Sequence, residues 1–246
     1  MLADAFQLYR NIDLGVEEMK RLINYFSKIE ITLWICSVML ITISFCIFDR
    51  ENFLTLFASL VGVTAIIVCA KGNPIGQVLM IIFSLIYAFI SYTFAYYGEL
   101  ITYAFMTLPI AVFSLISWLR NPYNGNKAEV KVNTISKKET VFMWILAIVV
   151  TVMFYFILTA FNTANIVPST ISITTSFLAV YLSFRRSPYF SVAYAANDVV
   201  LIILWTLASF SDFTYISVVV CFIAFLFNDI YCFANWKSME KRQSLG

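Results

Sequence analysis

The chain has 246 residues, 61% of them hydrophobic and only 12% charged, with a net charge of +2. A soluble domain carries roughly 25% charged residues, and one soluble core could not hide this much apolar surface, so the composition points to a chain solvated by lipid. A net charge this small gives no grip on nucleic acid, and the absence of histidine removes the usual metal ligand and the usual general base near neutral pH.

In chain order, residues 1–27 come first. They are no signal peptide, because Asp13, Glu17, Glu18, Lys20 and Arg21 interrupt any apolar run. Tyr9, Ile12, Val16, Met19, Ile23 and Phe26 recur by threes and fours, which predicts an amphipathic helix on the cytoplasmic leaflet or against a partner subunit. Eight hydrophobic stretches then follow, near the roughly 20 residues needed to cross a bilayer. They fall at 29–48, 53–70, 75–97, 99–119, 140–162, 166–184, 189–210 and 213–235.

Polar breaks separate the stretches. Asp49-Arg50-Glu51 follows the first, Lys71-Gly72-Asn73-Pro74 the second, Gly98-Glu99 the third and Arg185-Arg186-Ser187-Pro188 the sixth. The longest break runs from Asn121 to Lys138 and is the candidate linker. Pro74, Pro168 and Pro188 sit near helix starts, where the missing amide is not needed. Pro109 falls inside the fourth stretch and predicts a break there, either a hinge or a fixed bend. Trp34, Trp118, Trp144, Trp205 and Trp236 all fall near span ends and read as an interfacial belt. Cys36, Cys46, Cys69, Cys221 and Cys232 are scattered without CxxC spacing and read as small apolar fillers.

Eight crossings place 15 of the 16 basic residues on one side, leaving Arg50 alone on the other. The positive-inside rule makes the rich side cytoplasmic, with both termini there. Adding or dropping one helix would scramble that segregation.

A shift of 114 residues lays Lys71–Pro74 on Arg185–Pro188 and the turn Gly98-Glu99 on Asp212-Phe213. Spans two to four therefore match spans six to eight. Three is odd, so the single intervening span keeps the two triplets parallel, as in a transporter with its site between the halves. The predicted fold is an all-α integral membrane protein of about eight helices in a 1+3+1+3 order. Its parts are the cytoplasmic helix 1–27, an extra span 28–50, a first three-helix repeat 51–121, a loop and linker helix 122–164, a second repeat 165–237 and a tail 238–246.

Polar residues at depth mark the candidate site. Asp198 lies near mid-membrane beside Asn197, and an intramembrane carboxylate is a functional candidate by default. Asn228 and Asp229 fall in the cytoplasmic third of the last span. Gln77, Ser84, Tyr87 and Ser91 share one stripe of the third span, and Tyr194 and Trp205 flank Asp198 in the seventh. The hydroxyls of the sixth span, from Ser169 to Ser176, read either as pathway or as helix-to-helix glue. Amides with aromatic neighbours suit a flat solute that is uncharged or cationic. An intramembrane enzyme using Asp198 and Asp229 as paired carboxylates is disfavoured, because the two fall at different depths. No cofactor, metal or nucleic acid is expected; the partners are lipid and a small solute.

Gly72-Asn73-Pro74, the stretch Phe113-Ser114-Leu115-Ile116-Ser117-Trp118, Asn197, and Asn228 with Asn235-Trp236 carry a resemblance. Over about 50–240 the chain resembles the PnuC-type vitamin B3 transporters, which carry nicotinamide riboside and are related in fold to the SWEET sugar transporters. The resemblance implies a homotrimer in the inner membrane and uncoupled facilitated diffusion, with trapping by cytoplasmic phosphorylation. It implies a substrate held between the triplets, with Asn197, Asn228 and Trp118 as carried-over contacts. Together these readings give the candidate substrate-binding set Gln77, Ser84, Tyr87, Trp118, Tyr194, Asn197, Asp198 and Asn228. Many members close the fourth span with two tryptophans three apart, and here the first position is Leu115. Another nucleoside or a sugar therefore stays open as cargo.

Overall fold

The structure, a computed structural model, describes residues 25–93, 100–163 and 165–245. The amphipathic stretch expected before Tyr25, and the expected turn at Gly98-Glu99, lie outside those residues.

Among the described residues, eight helices are long and apolar enough to cross a membrane. They are α1 (Lys28–Phe48), α2 (Phe53–Ala70), α3 (Ile75–Thr93), α4 (Thr102–Leu119), α5 (Lys137–Ala160), α6 (Ile166–Phe184), α7 (Phe190–Ser209) and α8 (Phe213–Leu245). Helices α1 and α5 start on serine caps. The Ser27 hydroxyl accepts from the Glu30 amide at 3.2 Å while the Glu30 carboxylate accepts from the Ser27 amide at 2.7 Å, a reciprocal box that satisfies two otherwise orphaned donors. Ser136 likewise accepts from the Glu139 amide at 3.2 Å. That cap starts α5 at Lys137, earlier than its apolar run alone indicates.

Helix α8 differs most from expectation, continuing through Leu245 instead of stopping near 235. Its extension is held by polar contacts that no hydropathy profile contains. Lys237 pairs with Glu240, Arg242 pairs with Glu129, and the Gln243 amide donates to Glu129 at 2.9 Å and to the Val130 carbonyl at 3.1 Å. Glu129 and Val130 belong to a hairpin within the linker, β1 (Pro122–Tyr123) and β2 (Asn126–Val130). Its turn is Asn124-Gly125, both with positive φ (47° and 78°), the pairing that two-residue hairpin turns demand.

The break expected at Pro109 takes a definite form. Residues Thr102–Thr107 wind as a π-helix, with the Leu108 amide reaching back to the Tyr103 carbonyl. Proline has no amide hydrogen for the carbonyl four residues back, and a wider turn just before it accommodates the gap.

Neighbouring helices pack in sequence, α2 on α3 on α4 and α6 on α7 on α8. The two sets meet reciprocally, α4 against α6 and α8 against α2, while α5 rests on α6 and α1 rests on α2 and α8. The 114-residue offset recurs in the backbone. After α2, Gly72 has φ +67°, its amide bonds the Cys69 carbonyl at 2.8 Å, and the Asn73 amide bonds Val68 at 3.4 Å. After α6, Arg186 has φ +56°, its amide bonds Ser183 at 2.9 Å, and the Ser187 amide bonds Leu182 at 3.0 Å. Both are left-handed helix ends that return two amides to the last turn.

Two tryptophans depart from the belt reading. Trp118 and Trp236 are fully buried (0% exposed), with ring centroids 5.3 Å apart. The Trp118 indole donates to the Ser183 carbonyl at 2.9 Å and the Trp236 indole to the Cys69 carbonyl at 2.8 Å. Each closes the C-terminal end of a helix in the opposite triplet, at positions 69 and 183 that are themselves 114 residues apart. Their burial follows from a buried N–H finding a partner that lipid cannot supply.

Candidate functional site

Between the two helix sets lies a cavity of about 120 Å³. A single water needs roughly 10–15 Å³ by the same kind of measure, so this is room for a small solute. Its walls come from α2, α3 and α4 on one side and α6, α7 and α8 on the other, with α5 contributing Leu158.

Five of the eight predicted residues converge there: Gln77, Tyr87, Tyr194, Asn197 and Asp198. The Gln77 amide, 4% exposed, donates to the Ser183 hydroxyl at 3.1 Å and lies 3.5 Å from Cys69 Sγ, which turns its head group toward the α2–α6 boundary. Asn197 accepts through Oδ1 from the Thr175 and Ser176 hydroxyls at 2.8 and 3.1 Å. That leaves its amide hydrogens to other acceptors. The hydroxyl-rich face of α6 thus orients a cavity residue, beyond joining helices. Tyr87 packs in a tilted cluster with Phe83 and Tyr103, with centroids at 4.6 and 5.1 Å.

Ser84, Trp118 and Asn228 stand away from the cavity walls. The Ser84 hydroxyl donates to its own helix at the Met80 carbonyl, 2.8 Å. Trp118 closes α6 below the cavity, as described above. The Asn228 amide donates to the Ser37 hydroxyl at 2.8 Å and to the Ala224 carbonyl at 2.7 Å, so it ties α8 to α1. Each has its donor group engaged elsewhere.

Asp229 is a wall residue, and its relation to Asp198 corrects the expectation of different depths. Phe190 and Trp236 touch edge to face at 4.9 Å, which levels α7 with α8. Asp198 lies eight residues above Phe190 and Asp229 seven above Trp236, about 12 and 10.5 Å at 1.5 Å per residue. They therefore face each other at one height, with their side chains within hydrogen-bonding reach. Both are buried (4% and 3% exposed), and Asp198 Oδ2 meets no hydrogen-bond partner among the described residues. No lysine or arginine among the described residues lines the cavity. Composition along single helices could not reveal this pairing, nor the wall residues Met80, Tyr103 and Phe225.

The model of one protein family, the nicotinamide mononucleotide transporters, matches residues 52–238. The chain belongs to this family. The family is one of transporters, so the paired carboxylates do not make the chain an intramembrane enzyme. A nicotinamide riboside transporter, PnuC, of Neisseria mucosa is 23% identical over 203 residues, spanning 80% of this chain and 77% of that one. In fold, the chain is similar to the crystal structure of a vitamin B3 transporter, PnuC, with a TM-score of 0.76 at 20% identity, covering 89% of this chain and 94% of that one. The match covers most of the architecture, and membership of the transporter family together with the eight apolar helices places the chain among integral membrane proteins.

Proposed function

We propose that the chain imports nicotinamide riboside by facilitated diffusion, with the substrate held in the cavity between two parallel three-helix repeats. The family's name speaks of a mononucleotide, while the Neisseria relative is named for the riboside. The cavity's charge supports the riboside. Its walls hold two carboxyls, amides and tyrosines, but no lysine or arginine among the described residues. A phosphate would enter with nothing to offset its charge, and a buried unpaired anion costs several kcal/mol even after relaxation.

The nucleoside presents the opposite case. Its nicotinamide ring is cationic, so Asp198 supplies the counter-charge and the faces of Tyr87, Tyr194 or Trp205 can stack on it. Gln77 and Asn197 both donate and accept, which suits ribose hydroxyls and the carboxamide. Facilitated diffusion fits a cavity whose charged groups form one compact pair rather than a relay to either surface. The resemblance further carries the homotrimer into the same proposal, and the segregation of basic residues carries the cytoplasmic placement of both termini.

Counterflow in liposomes tests the reading. Vesicles preloaded with unlabelled riboside should draw in labelled riboside faster than empty ones. Absence of exchange with the riboside, together with exchange of a sugar or another nucleoside, would reassign the cargo.

A further inference from the structure

Two carboxyl groups that share a hydrogen bond cannot both be carboxylates, because a carboxylate has no hydrogen to donate. Like charges in contact in a dry site do not both ionise; they hold one proton between them. No lysine or arginine among the described cavity residues offers a different neutralisation. The groups set electrostatically against the pair are Cys69 from α2, Tyr194 from α7, and Cys221 and Cys232 from α8, none of them basic. From α6 the polar wall residues are hydroxyls, Ser172 and Ser176 among them.

We propose that Asp229 is a positioning and specificity-determining residue: it holds the bridging proton against Asp198, so that the pair presents one negative charge, carried by Asp198, to the single positive charge of the substrate ring. The count matters physically. Two bare carboxylates would overcharge a site that receives one cation, and two protonated carboxyls would offer it none. With one proton retained, the loaded site is electrically neutral. Asp229 never needs to touch the ligand; it acts through Asp198. No proton is released or taken up when the nucleoside binds. The inference deepens the proposed function and rests on its reading of the cavity as a site for a cationic nucleoside.

The test compares two forms of one nucleoside that differ in ring charge, the cationic nicotinamide riboside and its uncharged reduced form, by titration of the purified full-length protein. Wild type should prefer the cationic form. Asp198→Asn moves the remaining charge onto Asp229, away from the position that meets the ring, and should weaken that preference by about tenfold or more. Asp229→Asn replaces the bridging O–H donor by an amide N–H donor, leaving one carboxylate, so the preference should stay within about threefold of wild type. Asp229→Leu has no donor to give and should lose most of the cation preference while the uncharged form still binds, which separates loss of the bridge from loss of the fold. Rescue by asparagine but not leucine is the result a merely space-filling Asp229 would not give. If Asp229→Asn loses the preference as fully as Asp198→Asn, both charges face the ligand and the bridge is refuted, with the site's function intact. If Asp229→Leu keeps the preference, Asp229 plays no part in it, and the inference falls again. Should wild type bind neither form, the reading of the cavity falls first and the inference with it.

Discussion

At the scale of single residues, the chemistry concentrates on Asp198. A carboxylate in an apolar span is legible in sequence because its cost in lipid demands a reason. Its partnership with Asp229 was not legible, because depth was counted from a span that ended near 235, whereas α8 continues to Leu245 and Asp229 stands well inside. Replacing Asp198 by Asn keeps the shape and removes the charge from that position. Affinity for the cationic riboside should then fall by about tenfold or more, each tenfold being about 1.4 kcal/mol. Titration of the purified variant checks this, and equal losses for the charged and uncharged forms would make Asp198 structural. Asn228 illustrates the opposite outcome. Its amide looked like a pathway group in sequence but is engaged by Ser37 and its own helix. Asn228→Ala should therefore lower thermal stability in detergent and leave riboside affinity within about twofold, since a buried hydrogen bond is worth about 1 kcal/mol.

Among the elements, the ends of α2 and α6 are closed from the opposite triplet by the indoles of Trp236 and Trp118. A hydropathy profile gives the depth of a tryptophan but not the side of the helix it faces, which is why both read as belt residues. Phenylalanine at either position keeps the ring contacts and removes the N–H. The carbonyl of Cys69 or Ser183 then loses a partner where lipid and packed helices offer none. Each substitution should cost about 1–3 kcal/mol, against less than about 0.5 kcal/mol for Trp144→Phe, whose side chain is half exposed. Thermal unfolding in one detergent ranks the three variants, and equal behaviour would show that the indole bonds hold nothing together. The same reciprocity links the ends of α2 and α6, two positions 114 residues apart. Glycine at 72 and arginine at 186 adopt the same left-handed conformation, although only glycine adopts it without steric cost.

For the whole molecule, the number of spans was readable because lipid imposes a length and an apolar composition on every crossing. The docking of the linker hairpin on α8 was not, since it depends on contacts more than a hundred residues apart, such as Gln243 with Glu129. Orientation rests on the segregation of basic residues. Single cysteines introduced at Asn162 or Thr163 should react with an impermeant reagent from outside intact cells. Those at Asn124 or Asn126 should react only after the membrane is opened. Reaction of both loops from one side would remove the eight-span topology and the parallel triplets together.

The central claim concerns what this architecture encloses: a cavity that accepts a cationic nucleoside and refuses its phosphate ester. Titrating the purified protein in parallel with nicotinamide riboside and nicotinamide mononucleotide tests it most directly, because the ligands share ring, ribose and carboxamide and differ in the phosphate alone. With carboxyls and no basic side chain among the described wall residues, the riboside should bind at least about a hundredfold more tightly, a difference of about 2.7 kcal/mol. Equal or tighter binding of the mononucleotide would contradict the account.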